Sequence, residues 1–316
     1  MMVSPQKKTR DSDEQLTIGI DLGGTNIKAI LVNRHGDILH EAGAETRDNP
    51  RDPDGSHWKK SIKEIVTNFL DKAPGSVSLA GVSAPGLANR ENTGIAYLPN
   101  RLIGLEHFHW GEYLGLKTYV LNDAHAHLIA ESRFGVGAGF QNIVLLTLGT
   151  GVGGGILIEG KLYQGEKGRA GHLGHTSISE DEGTSIVGTP GSLENAIGEC
   201  TIEQRTYGRY MSTRELVEAY RRGETFASWV WIHSIQELAR AMVSLINAFS
   251  PQLFILGGGI TQAGDALLKP LNDFMDVYEW RPGGYKTPIK LAALGQYTGA
   301  LGAAVFARIS EKGKSK

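Results

Sequence analysis

Asn142-Ile-Val-Leu-Leu-Thr-Leu-Gly-Thr-Gly-Val-Gly-Gly-Gly-Ile-Leu-Ile158 reads as an apolar strand to Leu148, a glycine-dense turn from Gly149 to Gly155, and a second apolar strand, Ile156 to Ile158. The same order occurs at the N-terminus: a strand over Leu16 to Asp21, the turn Leu22-Gly23-Gly24-Thr25, and a β-branched run from Ile27 to Val32. Two copies of strand, glycine turn and strand suggest an internal duplication, two related α/β lobes facing each other.

The intervening segments supply the other layers of such lobes. Trp58, Ile62, Ile65, Val66, Phe69 and Leu70 recur at helical spacing between Ser56 and Leu70, with Ser56 placed to cap the start. Val77 to Ser83 reads as a buried strand that ends in the turn Ala84-Pro85-Gly86. A short strand, Tyr119 to Leu121, delivers Asn122-Asp123 to a helix running to about Phe134. Helices are predicted from Thr213 to Tyr220 and from Phe226 to Phe249, before the strand Leu253 to Leu256 ends in Gly257-Gly258-Gly259. Another helix spans Asp265 to Tyr278, a last strand lies near Ile289 to Ala292, and Thr298 to Ile309 forms an Ala/Gly-rich terminal helix.

Composition restricts the function classes. The chain has 316 residues, 41% hydrophobic and 21% charged, enough for two domains sharing a cleft. A formal charge of −2 with scattered Lys and Arg leaves no electrostatic footprint for nucleic acid or an anionic membrane. Cys200 is the only cysteine, so neither an intrachain disulfide nor a multi-cysteine zinc cage can form, and a cytoplasmic location is expected. Met1 to Gln15 is polar, without a signal-peptide core, and no segment approaches the roughly 20 apolar residues of a membrane span.

Three glycine clusters follow strands: Gly23 and Gly24, Gly149 to Gly155, and Gly257, Gly258 and Gly259. Each alone could be a hairpin turn. Together, with Thr25 and Thr150 inside two of them, they point to backbone N–H groups converging on the phosphates of a nucleotide. No Gly-x-x-x-x-Gly-Lys-Ser/Thr segment exists, which argues against a P-loop. Gly149, Gly151 and Gly154 match the dinucleotide pattern Gly-x-Gly-x-x-Gly, but that fingerprint needs a helix after the turn and Ile156-Leu157-Ile158 reads as a strand. Asp21 and Asp123 stand at strand ends; each could be a solvated side chain or a helix cap, or supply the base and the metal-directed carboxylate that phosphoryl transfer from Mg²⁺·ATP to an alcohol requires. His172 and His175, three apart after a glycine turn, could be metal ligands or part of a polar loop.

These residues resemble the ROK family (repressor, open reading frame, kinase), the bacterial glucokinase-like branch of the actin/hexokinase-type ATPases. Asp21-Leu-Gly-Gly-Thr-Asn-Ile-Lys28 is similar to its first phosphate motif, Leu148-Gly-Thr-Gly-Val-Gly-Gly-Gly155 to its second, Gly257-Gly-Gly259 to its adenosine motif and Leu121-Asn-Asp123 to its catalytic segment, over about Thr17 to Phe306. The resemblance implies a two-lobed, ribonuclease H-like duplicated fold with ATP and sugar in an interlobe cleft. Its lobes would be residues 1–121 with 299–316, and 122–298, with the terminal helix packing back on the N-terminal lobe. It implies an ATP-dependent kinase for a hexose, glucose first, or an N-acyl hexosamine. Asp123 would be the general base and a sugar contact, with Gly86, Asn100, Asn122, His172, His175 and Glu194 as the other sugar contacts, and Asp21 the residue that meets Mg²⁺ through water. Gly23, Gly24, Thr25, Gly149, Thr150, Gly151 and Gly257 to Gly259 would bind ATP. A homodimer is expected.

Two departures from the family pattern stand out. His172 replaces the glutamate of a Glu-x-Gly-His motif, which puts the choice of sugar in doubt, and the three cysteines of the family's zinc site are absent from Glu182-Gly-Thr-Ser-Ile-Val-Gly-Thr-Pro-Gly-Ser192, so no structural zinc is expected. Family repressors carry an N-terminal helix-turn-helix, for which the 15 residues before the first strand leave no room. A sugar-binding pseudokinase or regulator without phosphotransfer is the alternative reading.

Overall fold

The computed structural model describes residues 15–49, 52, 54–180 and 185–314; the N-terminal stretch and the first part of the 182–192 segment lie outside the described residues. The chain divides into two compact units, Met1–Asn122 with Gln296–Lys316, and Asp123–Gly295.

The first unit is built on β1 (Leu16–Leu22), β2 (Asn26–Val32), β3 (Ile38–Glu45), α1 (Ser56–Lys72), β4 (Val77–Ala84), the small hairpin β5 (Leu87–Ala88) and β6 (Ile95–Tyr97), α2 (Trp110–Leu114) and β7 (Lys117–Asn122). Its sheet runs β3-β2-β1-β4-β7, antiparallel across the first two pairings and parallel across the last two. β1 is buried along almost its whole length because helices cover both faces of the sheet, which explains its unbroken apolar run. Trp58, Ile62, Val66 and Phe69 of α1 cover one face. The C-terminal helix, Thr298–Lys314, covers β1, β4 and β7. Gly19 and Gly81 make that packing possible, since a Cβ on either would run into the backbone carbonyl of Ala300 or Ala303. Arg308 ties the helix to the sheet by donating to Thr17 Oγ1 (2.7 Å) and to the carbonyls of Asn33 (2.6 Å) and Val32 (3.0 Å).

Ser56, expected to cap α1, is instead its first helical residue. The Asp52 carboxylate accepts from the Ser56 and His57 N–H groups, both at 3.0 Å, and from the Ser56 hydroxyl at 2.9 Å. The capping oxygens therefore come from four residues upstream, beyond the left-handed Gly55.

The second unit contains α3 (Asp123–Phe134), β8 (Ile143–Leu148), β9 (Val152–Ile158), β10 (Lys161–Leu162), α4 (Leu193–Ile197), α5 (Ile202–Arg205), α6 (Thr213–Arg221), α7 (Thr225–Phe249), β11 (Leu253–Gly257), α8 (Asp265–Tyr278) and β12 (Ile289–Leu291). Its sheet runs β10-β9-β8-β11-β12 with the same senses as the first: antiparallel, antiparallel, parallel, parallel. The duplication expected from the glycine turns is thus a duplication of sheet topology.

The glycine-dense turn is shorter than expected. Only Gly149 to Gly151 turn the chain; Val152 to Gly155 already pair with Leu148 to Leu145. Glycine is tolerated inside β9 because other elements press on it. A Cβ would meet Ala124 at Gly153, Leu173 at Gly154 and Leu128 at Gly155, so these residues let α3 and the 171–173 segment approach the sheet.

Candidate functional site

In the first unit, β1 and β2 are joined by a turn in which Gly23 N–H donates to Asn26 O (3.0 Å) and the Thr46 hydroxyl donates to Gly23 O (2.7 Å). Thr46 N–H also donates to Thr25 O (2.9 Å), which pins the turn from β3's end. Asp21, at the end of β1, accepts the Ser83 hydroxyl at 2.7 Å. Its carboxylate lies against the first turn of the C-terminal helix: a Cβ on Gly299 would sit 2.6–2.7 Å from both oxygens. Glycine at 299 thus leaves room for a carboxylate at a helix N-terminus, where the aligned peptide dipoles favour negative charge.

Asn122 is buried and donates through Nδ2 to the carbonyl of Gly86 at 3.1 Å. Gly86 has φ +98°, and its α-carbon is packed against Tyr97, Ile95 and Leu98, so the turn after β4 is fixed from two sides. Asn100 follows in the next loop, also with positive φ (+61°).

In the second unit, Asp123 opens α3 and stays exposed, its Oδ1 accepting the Ala124 N–H at 2.8 Å. Three imidazoles gather behind it. The His125 and His172 rings are 5.7 Å apart, and the His172 and His175 rings stack at 6.4 Å with an interplanar angle of 7°. Burial pushes His125 down to about 3, and the neighbouring His172 adds to the effect. Burial and then His175 also lower His172, against the attraction of Asp123, so both rings are uncharged at neutral pH. Buried Nε2 of His172 and Nδ1 of His175 have no hydrogen-bond partner among the described residues. His172 thus lies within electrostatic reach of Asp123 and stacks on His175. His125 was not foreseeable as part of the group, because its ring turns inward from a helix whose apolar pattern is weak.

Glu194, on α4, is buried with Oε2 accepting the Val152 N–H at 3.0 Å, and it fills the space beside Gly151. The sugar-contact residue of the resemblance thereby also supports the glycine turn. That turn is braced again from the Gly198–Thr201 segment: Glu199 N–H donates to Gly149 O (3.0 Å) and Cys200 N–H to Thr150 O (2.8 Å).

Gly149 and Thr150 line a cavity of about 420 Å³ together with Gly259. Gly258, with φ +89°, has its α-carbon against Leu148, so the second and third glycine motifs meet through backbone contact. Gly257 is a residue of β11 and Gly151 faces Glu194; neither lines the cavity. Arg214, Glu218 and Arg221 do line it, one face of α6 at spacings of four and three. Sequence reasoning missed them, although charged residues at helical spacing on one side of an amphipathic helix were a usable signal. Among the described residues, no group of three or more His, Cys, Asp or Glu side chains is arranged to hold a metal ion, and no helix is long and apolar enough to cross a membrane.

The repeated five-stranded sheets, with hairpins carrying glycine turns, define the two-lobed α/β fold of the actin/hexokinase class. The chain belongs to the ROK family, whose model matches residues 17–309. It is 32% identical over 282 residues to a glucokinase of Thermotoga maritima, covering 81% of this chain and 86% of that protein. It is 28% identical over 306 residues to an N-acetyl-D-glucosamine kinase of Haemophilus influenzae, covering 91% of this chain and 98% of that protein. The solved structure of a ROK family glucokinase from Streptomyces griseus, in complex with glucose and AMPPNP, matches with a TM-score of 0.75 at 28% identity, over 93% of this chain and 99% of that one.

Proposed function

We propose that the protein is an ATP-dependent sugar kinase that transfers the γ-phosphate to a hydroxyl of a hexose, glucose first among the candidates, or of an N-acyl hexosamine. The enzyme is a hexokinase/glucokinase-like phosphotransferase. The observation that carries this reading is the cavity joining the Gly149–Thr150 turn to Gly259, a nucleotide-sized space walled by that turn, the Gly259–Ala263 helical turn and one face of α6. The names of the relatives, a glucokinase and an N-acetyl-D-glucosamine kinase, support the acceptor class.

In this reading the adenosine end of ATP occupies that cavity, and the turns at Gly149–Gly151 and Gly23–Thr25 receive phosphate oxygens on their N–H groups. Asp21, held by the Ser83 hydroxyl, would be the carboxylate facing the Mg²⁺ that ATP brings with it, an ion that would offset phosphate charge. Asn122 holds the Gly86 carbonyl toward the acceptor, and Asn100, His172, His175 and Glu194 bind its hydroxyls. Asp123 accepts the proton of the attacking hydroxyl as its oxygen bonds to phosphorus and the bridging oxygen leaves with ADP. No structural zinc is part of the proposal.

His172 favours a second reading. An uncharged imidazole stands where the family motif has a glutamate, which fits a sugar-binding regulator that transfers no phosphate. The deciding experiment is ATP consumption with a panel of hexoses and N-acyl hexosamines, with the phosphorylated position of each product determined. Turnover of one of them establishes the kinase; sugar binding without turnover of any establishes the regulator.

A further inference from the structure

Leu102 has a backbone φ of +45° and Asn100 one of +61°, so two left-handed residues bracket Arg101. Asparagine adopts this conformation readily, but for a bulky residue such as Leu it is an outlier that persists only where the surroundings impose it. Here they do. The Leu102 side chain is buried to 1% exposure, and its N–H donates to both oxygens of Asp48, each at 3.1 Å. The strained segment therefore has a fixed base, and Arg101 and its neighbour Asn100 are both exposed above it.

The guanidinium of Arg101 rests on the turn between β1 and β2. Its Nη2 stands in the space that a Cβ on Gly24 would occupy. Among the described residues no carboxylate is within ion-pair distance of Arg101, whereas Arg47 on the same unit pairs with Glu45. A cation laid on a glycine turn with no carboxylate partner among the described residues is suited to bind an anion that arrives at that turn.

We propose that Arg101 binds the terminal phosphate of ATP at the Gly23–Gly24 turn and stabilises the charge on its equatorial oxygens during transfer. This rests on reading that turn as a phosphate site. Guanidinium is the appropriate group: it is always charged and its planar fork matches two phosphate oxygens at once. Arg101 takes no proton and forms no bond. The sugar oxygen attacks phosphorus, the bond to the β–γ bridging oxygen breaks, and the proton passes to Asp123.

The test compares Arg101→Ala and Arg101→Lys with the wild type, after circular dichroism and thermal melting show that the variants are folded. Arg101→Ala should lower kcat by about 10²-fold or more, the scale seen when a transition-state charge donor is removed, while KM for the sugar changes little. Arg101→Lys should recover part of the loss, and guanidinium ion added to Arg101→Ala should restore turnover in a dose-dependent way. A kcat within about threefold of wild type in Arg101→Ala, or a loss that neither lysine nor guanidinium relieves, would overturn the proposal. If the wild type phosphorylated no sugar, the kinase reading would fail separately. Titration with ATP and with adenosine would still decide the role of Arg101, because affinity lost equally for both, or for neither, would count against it.

Discussion

Asp123 and His125 stand two residues apart on α3, one exposed and one buried. Asp123→Asn keeps the shape and removes the basic charge, so kcat should fall by about 10²-fold or more while sugar affinity weakens far less. An Asp serving only the helix end would be replaced by Asn at almost no cost, and near-normal kcat would exclude it as the base. His125 acts on stability. Its folded value of about 3 lies below the ordinary 6.5, so the native state binds fewer protons than the unfolded chain between those values and stability falls as pH drops through that window. At pH 5 the loss from this group is about 2 kcal/mol. Urea unfolding at pH 7 and pH 5 should therefore show a smaller acid-induced loss for His125→Gln than for wild type, and equal losses would contradict the assignment.

At the scale of elements, the close seat of the C-terminal helix on β1 and β4 depends on two missing side chains. Gly81→Ala must push the helix backbone away from the strand, and we expect it to reduce unfolding free energy by about 1–3 kcal/mol, measurable as a lower urea midpoint at unchanged slope. The buried strands β1, β4, β8 and β11 were legible in the sequence because coverage on both faces demands unbroken apolar runs, and α7 because its length and periodicity admit no strand. β3 was not: it is a largely exposed edge strand, and His40-Glu41-Ala42-Gly43 has no apolar stretch to betray it. The extent of the turn after β8 was misread because glycines 153 to 155 serve packing, and a sequence does not distinguish a glycine that bends from one that makes room. The positions of Asp21, Asp123 and the three glycine motifs could be read at strand ends. The sugar-side roles rested on resemblance, and Arg101 was invisible because its placement comes from a left-handed loop that no local pattern announces.

Across the whole molecule, one unit is a single stretch of chain and the other is made from both ends. Asp123–Gly295 has its own sheet and core, so it should fold when expressed alone, with cooperative unfolding and native-like circular dichroism. The chain truncated before Thr298 should fail, because the apolar face of β1, β4 and β7 loses its cover; a soluble, cooperatively melting truncation would refute this. The same arrangement imposes an order on synthesis. When the first sheet leaves the ribosome, the helix that must cover it has not yet been translated, and at about 5–20 residues per second the second unit and that helix take roughly ten to forty seconds more to emerge. For that interval the nascent chain holds an uncovered apolar sheet, a substrate for chaperones that bind exposed hydrophobic surface. Its yield in a cell should depend on their supply more than its final stability would suggest.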